Sequence, residues 1–314
     1  LVTNTRYPGA AITGWGLALP DNIVTNADFA ARLDTTDAWI VERTGIRERR
    51  HGGTTQSLAV EAARAALRRA KTEPADVDLI VLATTTPDRS VPATSSAVHD
   101  ELGCTGAAFD LNAACAGFVY ALVTAVAMFG AGYKRALVIG SDTLSRITDQ
   151  EDRATAVLFA DGAGALVIEA REGRDLLLAH DLGLDGSLAS ILSADHGGYI
   201  RMEGRDVFRR AVRASVDSAV KVLKDSGTTA DEIKLFVPHQ ANQRIIDAAI
   251  QRLGIAPEKT AIVLDRTGNT SAGSMGIALA EAADEGRVHD GDLVLLSGFG
   301  AGMTWASAVL RWGS

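Results

Sequence analysis

The sequence predicts a layered α/β fold built from two similar halves, in which two sheets enclose central helices and further helices lie outside. Three observations lead there. A helix–loop–strand pattern occurs twice: Val60-Glu-Ala-Ala-Arg-Ala-Ala-Leu67 runs through Asp76 to Leu79-Ile-Val-Leu82, and Val216-Asp-Ser-Ala-Val-Lys-Val-Leu223 runs through Glu232 to Leu235-Phe-Val-Pro238. Matching positions stand 156 apart (60 and 216, 67 and 223, 79 and 235), and Leu137-Val-Ile139 answers Leu293-Val-Leu295 at the same distance, about half of the 314 residues. Such a repeat implies two copies of one unit related by a pseudo-twofold axis. The second observation is a set of continuous apolar runs, Leu79 to Ala83, Ala136 to Ile139 and Leu293 to Leu296, the pattern of strands covered on both faces. The third is Phe118 to Phe129, apolar nearly all round, as a helix between two sheets must be.

Along the chain, the first eight residues carry no pattern. The apolar stretch from Phe118 to Tyr133 is interrupted by Thr124, Gly130 and Gly132 and falls short of the ~20 residues a membrane span needs. We divide the chain at 1–171 and 172–314. Residues 185–198 read as a loop. A helix from Asp206 to Asp225 places Phe208, Val212, Val216, Ala219, Val220 and Leu223 on one stripe, and Gly227 suits its C-cap. The strand Leu235 to Pro238 ends at His239, before a helix carrying Ile245, Ile246, Ala249, Ile250 and Leu253, closed by Gly254.

Composition excludes several classes. Apolar residues at 47% and charged residues at 22% are those of an ordinary globular enzyme. A net charge of −8 argues against a general nucleic-acid binder. Two cysteines are too few for a disulfide framework and suit a reducing compartment, and no basic-then-apolar leader is apparent, so a cytoplasmic setting is expected.

Cys115 is the candidate nucleophile. The repeat sets Cys115-Ala-Gly117 against Ser271-Ala-Gly273, so two helix starts converge, and their positive ends should make the thiol ionise more readily than a free one. Cys104 reads as core filling. His239 falls at the carboxyl end of a strand, where α/β sheets place ligands. Asn269, in Thr267-Gly-Asn-Thr-Ser271, suits a helix N-cap aimed at Cys115. Gly298-Phe-Gly-Ala-Gly302 follows a buried strand, and its backbone N–H groups can meet an oxyanion. The remaining histidines, His51, His99, His180, His196 and His289, are assigned to polar loops or helix ends.

At this point a family resemblance becomes specific. Asn112-Ala-Ala-Cys-Ala-Gly-Phe118, Pro238-His-Gln-Ala-Asn-Gln-Arg-Ile245 and Gly268-Asn-Thr-Ser-Ala-Gly-Ser274 resemble the three signatures of the β-ketoacyl–acyl carrier protein synthase III family. Asp37-Ala-Trp-Ile-Val-Glu-Arg-Thr-Gly-Ile-Arg47 and Phe159-Ala-Asp-Gly-Ala-Gly-Ala165 are similar to it too, in order and spacing from about Ile12 to Arg311. The resemblance implies a thiolase-like layered αβαβα fold from two pseudo-twofold-related halves, and a homodimer. It implies that Cys115 takes an acyl group from acyl-CoA, and that His239 and Asn269 stabilise the enolate from decarboxylation of malonyl–acyl carrier protein. The acyl oxyanion would rest on the Cys115 N–H and one from Gly300, Ala301 and Gly302.

Acyl-CoA is then a substrate, with no metal or redox cofactor required, no membrane insertion and no nucleic acid. The resemblance sets Trp39 and Arg43 around the adenine of CoA and makes Arg153 a further contact. It extends the substrate-binding set to Phe208, Ala241, Asn242 and Arg244. Arg209, Arg213 and Arg244 suggest a dock for phosphates or an acidic carrier protein, with Arg252 less placed. Phe159 and Val91 belong to the primer pocket. Val91 stands where acetyl-preferring members have Phe on the floor of the partner's acyl pocket, which favours a longer or more branched primer. Arg205 replaces a small polar residue near the tunnel mouth. The alternative reading is a priming ketosynthase or acyltransferase of a type II polyketide or other secondary-metabolite pathway.

Overall fold

The computed structural model describes residues 7–313. One sheet takes Ala10–Ala18 (β1), Leu79–Ala83 (β2), Ala107–Leu111 (β3), Arg135–Thr143 (β4) and Asp161–Ala170 (β5), in the order β1-β5-β4-β2-β3. The other takes Leu177–Leu184 (β6), Ile233–Pro238 (β7), Leu293–Gly300 (β8) and Thr304–Arg311 (β9), in the order β7-β8-β9-β6. In the first sheet β3, β2 and β4 run parallel, and β5 and then β1 are added antiparallel. In the second, β7 at the edge runs parallel to β8, and β9 and then β6 are added antiparallel. The main helices are Asp37–Thr44 (α1), Thr55–Ala70 (α2), Thr94–Leu102 (α3), Gly117–Phe129 (α4), Gly204–Ser226 (α5), Gln243–Leu253 (α6) and Gly273–Asp284 (α7).

Alternation along the strands builds the layers. Val81 and Val138 from the first sheet, and Val237 and Leu296 from the second, pack on Leu122 and Val126 of α4 and Leu279 of α7 in one buried cluster. Their neighbours point outward: Ile80, Leu82, Leu137 and Ile139 meet α2, while Phe236 and Leu295 meet α5 and α6. The layers are therefore α2/α3, sheet, α4/α7, sheet, α5/α6, as expected. Leu122 is fully buried, and such a side chain contributes roughly 1.5–3 kcal/mol. In α4 only Ala127 is exposed, and the helix ends at Phe129 rather than running on to Tyr133.

The structure corrects three details. Val220 is 51% exposed, because the buried arc of α5 runs from Val207 through Ala211 and Val222 to Val216, and Val220 lies about 40° beyond it at ~100° per residue. Residues 185–198 are not a bare loop: a 3-10 turn at Gly186–Ile191 leads into a two-residue ladder, Leu192–Ser193 with Arg201–Met202. Asp185 ties this segment to the glycine-rich turn through a reciprocal backbone pair with Met303, at 2.9 and 3.0 Å. His180 lies within β6, with a ring nitrogen 2.8 Å from Tyr7 Oη.

The repeat drifts. The left-handed C-caps Lys71 and Gly227 keep the 156-residue spacing. The turns before α4 and α7 match at 157 instead. Asn112 Oδ1 accepts from Ala114 N–H and Asn269 Oδ1 from Ser271 N–H, and both Ala114 (φ 48°) and Ser271 (φ 51°) have positive φ. Leu82 pairs with Ile139 but Pro238 with Ser297, so the next strands match at 158. By conformation, the counterpart of Cys115 is therefore Ala272, not Ser271. In the same frame Asp142 of β4 answers to Gly300 of β8.

Candidate active site

Two segments of the second half close on the start of α4. The end of β8 touches both candidate residues. A Cβ built on Gly300 would stand 2.6 Å from the Cys115 nitrogen, and one on Gly298 would stand 3.4 Å from His239 Cβ. Between them the Phe299 ring meets the His239 ring edge-on at 5.3 Å. Only glycine at 300 allows this approach. The second segment is the turn Asn269–Ser274, which places Ser271 beside the Cys115 thiol and Ser274 Oγ 2.7 Å from His239 Nδ1. Ser271 Oγ is buried and closes no well-directed hydrogen bond among the described residues.

Asn269 is held at both ends. Its N–H donates to Leu158 O and its carbonyl accepts from Ala160 N–H, both at 2.9 Å, which lays it against Phe159. With Oδ1 occupied by Ser271 N–H at 2.9 Å, Nδ2 is left as the donor. His239 follows β7, its N–H bonded to Ser297 O. Ser274 Oγ also accepts from Gln240 N–H at 3.4 Å, so its own proton is available to Nδ1. That places the imidazole proton on Nε2. Burial pushes the His239 pKa down from 6.5 to about 3, so the ring is neutral.

Cys115 departs from expectation. Burial pushes its thiol up from 9.0 to about 12, against lowering by Ser271 and by its own backbone N–H, while Asp142 adds to the rise. A rise of that size corresponds to ~4 kcal/mol, more than the ~0.3–2 kcal/mol a helix end supplies. Desolvation wins, and the resting group is a thiol. It is densely surrounded yet keeps some accessible surface. Cys104 is buried and unbonded to any other cysteine, also raised by burial, to about 11.

The outer binding residues converge in part. Asn242 caps α6 by accepting from Arg244 N–H, and its Nδ2 donates to Arg43 O at 3.0 Å, joining α1 to α6. Arg43, Arg205, Arg209, Arg244, Phe208 and Asn242 line a cavity of about 660 Å³. Trp39 carries two guanidinium groups, Arg43 at 4.7 Å and Arg153 at 4.9 Å from its ring. Ala241 packs into the outer core with its N–H on His239 O. Arg213 pairs with Asp217 and faces a different groove, and Arg252, in the last turn of α6, lies outside the cationic cavity. Val91 is 84% exposed. Ala301 and Gly302 follow Gly300 in a 3-10 turn.

Sequence reasoning missed Ser274, Phe299 and Asp142. Ser274 ends the quoted Gly268–Ser274 motif, and Asp142 closes an apolar strand with Gly140-Ser-Asp-Thr143. Polar residues at the carboxyl end of a buried strand were the available signal. Among the described residues no group of three His, Cys, Asp or Glu side chains gathers as a metal site, and no helix is long and apolar enough to cross a membrane.

Comparison with known proteins finds a family for this fold. Residues 109–186 match the family model for 3-oxoacyl-[acyl-carrier-protein] synthase III, and residues 223–312 match the model for its C-terminal part. The chain is 50% identical to the β-ketoacyl-[acyl-carrier-protein] synthase III of Bradyrhizobium sp. strain BTAi1, over 96% of this chain and 99% of that one. The 3-oxoacyl-[acyl-carrier-protein] synthase III structure from Aquifex aeolicus superposes with a TM-score of 0.95 at 45% identity, over 97% of this chain and 100% of that one. A priming β-ketosynthase of the R1128 polyketide pathway gives 0.93 at 34%, over 100% and 99%. On these grounds the chain belongs to the β-ketoacyl-[acyl-carrier-protein] synthase III family.

Proposed function

We propose that Cys115, His239 and Asn269 carry a decarboxylative condensation that starts fatty acid synthesis, with residues 1–171 supplying the nucleophile and 172–314 the enolate donors. Cys115 Sγ bonds to the acyl carbon of an acyl-CoA, and CoA leaves with the thiol proton. The malonyl group, carried on acyl carrier protein, then loses carbon dioxide. Its thioester oxygen, negative in the enolate, accepts from His239 Nε2–H and Asn269 Nδ2–H. The carbanion attacks the acyl-Cys115 carbon and expels the Cys115 thiolate, which takes a proton from solvent to restore the thiol. The Cys115 N–H, with one from the Gly300–Gly302 turn, receives the acyl oxyanion. No cofactor enters this scheme.

The observation that supports it is the turn Asn269–Ser274, which presents one amide donor, sets the proton on His239 Nε2 and borders the thiol. The cationic cavity of Arg43, Arg205, Arg209 and Arg244, in a chain of net charge −8, suits the phosphates of CoA and an acidic carrier. Trp39, Arg43 and Arg153 suit adenine stacking. Exposed Val91 suits a homodimer in which it floors the partner's pocket, beside Phe159 of the primer site, and a cytoplasmic setting fits the reading.

The test is intact-mass spectrometry over a panel of acyl-CoAs, with Cys115→Ala. We expect a one-acyl gain that the variant abolishes; an adduct that survives in Cys115→Ala, or none in the wild type, rejects the assignment. His239→Ala and Asn269→Ala should still load, while decarboxylation of malonyl–acyl carrier protein falls ~10²–10³-fold each. The second reading, a priming ketosynthase, is favoured by Val91 and by the likeness to the R1128 enzyme. A primer profile peaked at acetyl-CoA would remove it.

A further inference from the structure

Asp142 lies at the end of β4 with no exposed surface, and neither substrate nor cofactor is needed to explain its surroundings. Its Oδ1 accepts from the hydroxyls of Thr84, Thr85 and Thr86 and from the backbone N–H groups of Thr85 and Thr86, at 2.7 to 3.1 Å. Its Oδ2 accepts from Ala272 N–H, 130 residues away in the other half, at 3.0 Å. Both oxygens act only as acceptors, the role of an ionised carboxylate. A buried carboxylate without such partners would be very costly, so the three threonines are what allow it to stand here.

The pseudo-twofold frame shows what it does. Ala272 answers to Cys115, and Gly300 answers to Asp142. At the start of α7 the amide of Ala272 is occupied by a carboxylate. At the start of α4 the corresponding strand position is Gly300, and the Cys115 N–H meets no acceptor among the described residues beyond its own thiol. The same amide is thus closed in one half and open in the other.

We propose that Asp142 is a positioning residue: by holding Ala272 N–H it pins the Asn269–Ala272 turn across the pseudo-axis, aims Asn269 Nδ2 at the enolate, and leaves Cys115 as the open amide of the pair. This rests on the functional reading above. Asp142→Asn separates the two duties. The Thr85 and Thr86 N–H groups still need an acceptor, so the amide oxygen turns to them and its NH2 faces Ala272 N–H, donor against donor. The fold's cage survives while the link to the second half is lost.

The experiment compares wild type and Asp142→Asn in each half-reaction separately: acyl loading on Cys115 by intact mass, and carbon dioxide release from malonyl–acyl carrier protein. Decarboxylation should fall about 10–100-fold in kcat, the scale of a misplaced donor. Loading should not fall, because removing the Asp142 charge can only ease ionisation of the Cys115 thiol, and the KM for acyl-CoA should stay within about threefold. Thr85→Val, which removes one hydroxyl from the cage, should show the same selectivity at about threefold, and it decides the matter if Asp142→Asn does not fold. Equal loss in both half-reactions, or none in either, overturns the proposal. A wild type that neither loads nor decarboxylates rejects the functional reading, and the role of Asp142 with it.

Discussion

The turn that starts α4 and the turn that starts α7 share a design: an asparagine whose Oδ1 accepts an N–H two residues on, a residue at positive φ, and a buried helix at the pseudo-axis. They differ in what the neighbouring strands bring. The first half sets Ala83 and Asp142 at its strand ends, and the second sets His239 and Gly300 at the corresponding places. Each element of chemistry is present once. A symmetric frame supplies two converging helix starts, and a few substitutions leave a thiol with an open amide at one and a closed amide at the other, the asymmetry that the proposed reaction would use. The carboxylate that the N-half's strand end brings to the start of α7 has no counterpart at the C-half's strand end, where Gly300 leaves the start of α4 open.

Changing the glycine that keeps Cys115 open strikes this contrast hardest. Gly300→Ala puts a methyl within 2.6 Å of the Cys115 nitrogen and 2.8 Å of Ala114 Cβ. We expect acyl loading to fall by ~10²-fold or more, the scale of a lost oxyanion donor, with a lowered melting temperature. Normal loading in this variant would mean that the Cys115 amide does not serve the oxyanion.

A smaller effect follows from the protonation states. Cys115 holds its proton below a pKa raised to about 12, so its thiolate fraction grows as pH rises. Alkylation of Cys115 by iodoacetamide, followed by peptide mass spectrometry, should accelerate ~10-fold per pH unit from pH 5 to 10 without a plateau. It should show no inflection near 6.5, because His239, lowered to about 3, does not titrate there. A plateau below pH 8 would show that the helix end outweighs burial after all.

The mildest test concerns the tautomer. Ser274→Ala removes the donor to His239 Nδ1, and one such hydrogen bond is worth about 1 kcal/mol. Decarboxylation should slow by ~5–10-fold, loading should persist, and Ser274→Thr should restore much of the rate. Equal slowing of both steps would instead mark Ser274 as a packing residue.

Much of the layered fold was legible because it depends on local chemistry. Unbroken apolar strands, an apolar helix without a polar face and a repeated helix–strand unit leave few ways to bury their surfaces. The candidate cysteine, histidine and asparagine were visible through motif and position, since strand ends and helix starts are where polar groups can converge. The sequence by itself therefore determined the architecture and the identity of the candidate residues. The tertiary structure decided their state and their partners. The drift from 156 to 158 residues matches Asp142 with Gly300, a correspondence hidden by a constant spacing. Ser274 meets His239 across 35 residues, and Asp142 meets Ala272 across 130. The thiol's protonation was misjudged for the same reason. A helix end is visible in the sequence, but desolvation depends on every neighbour that packing brings, and here it is the larger of the two.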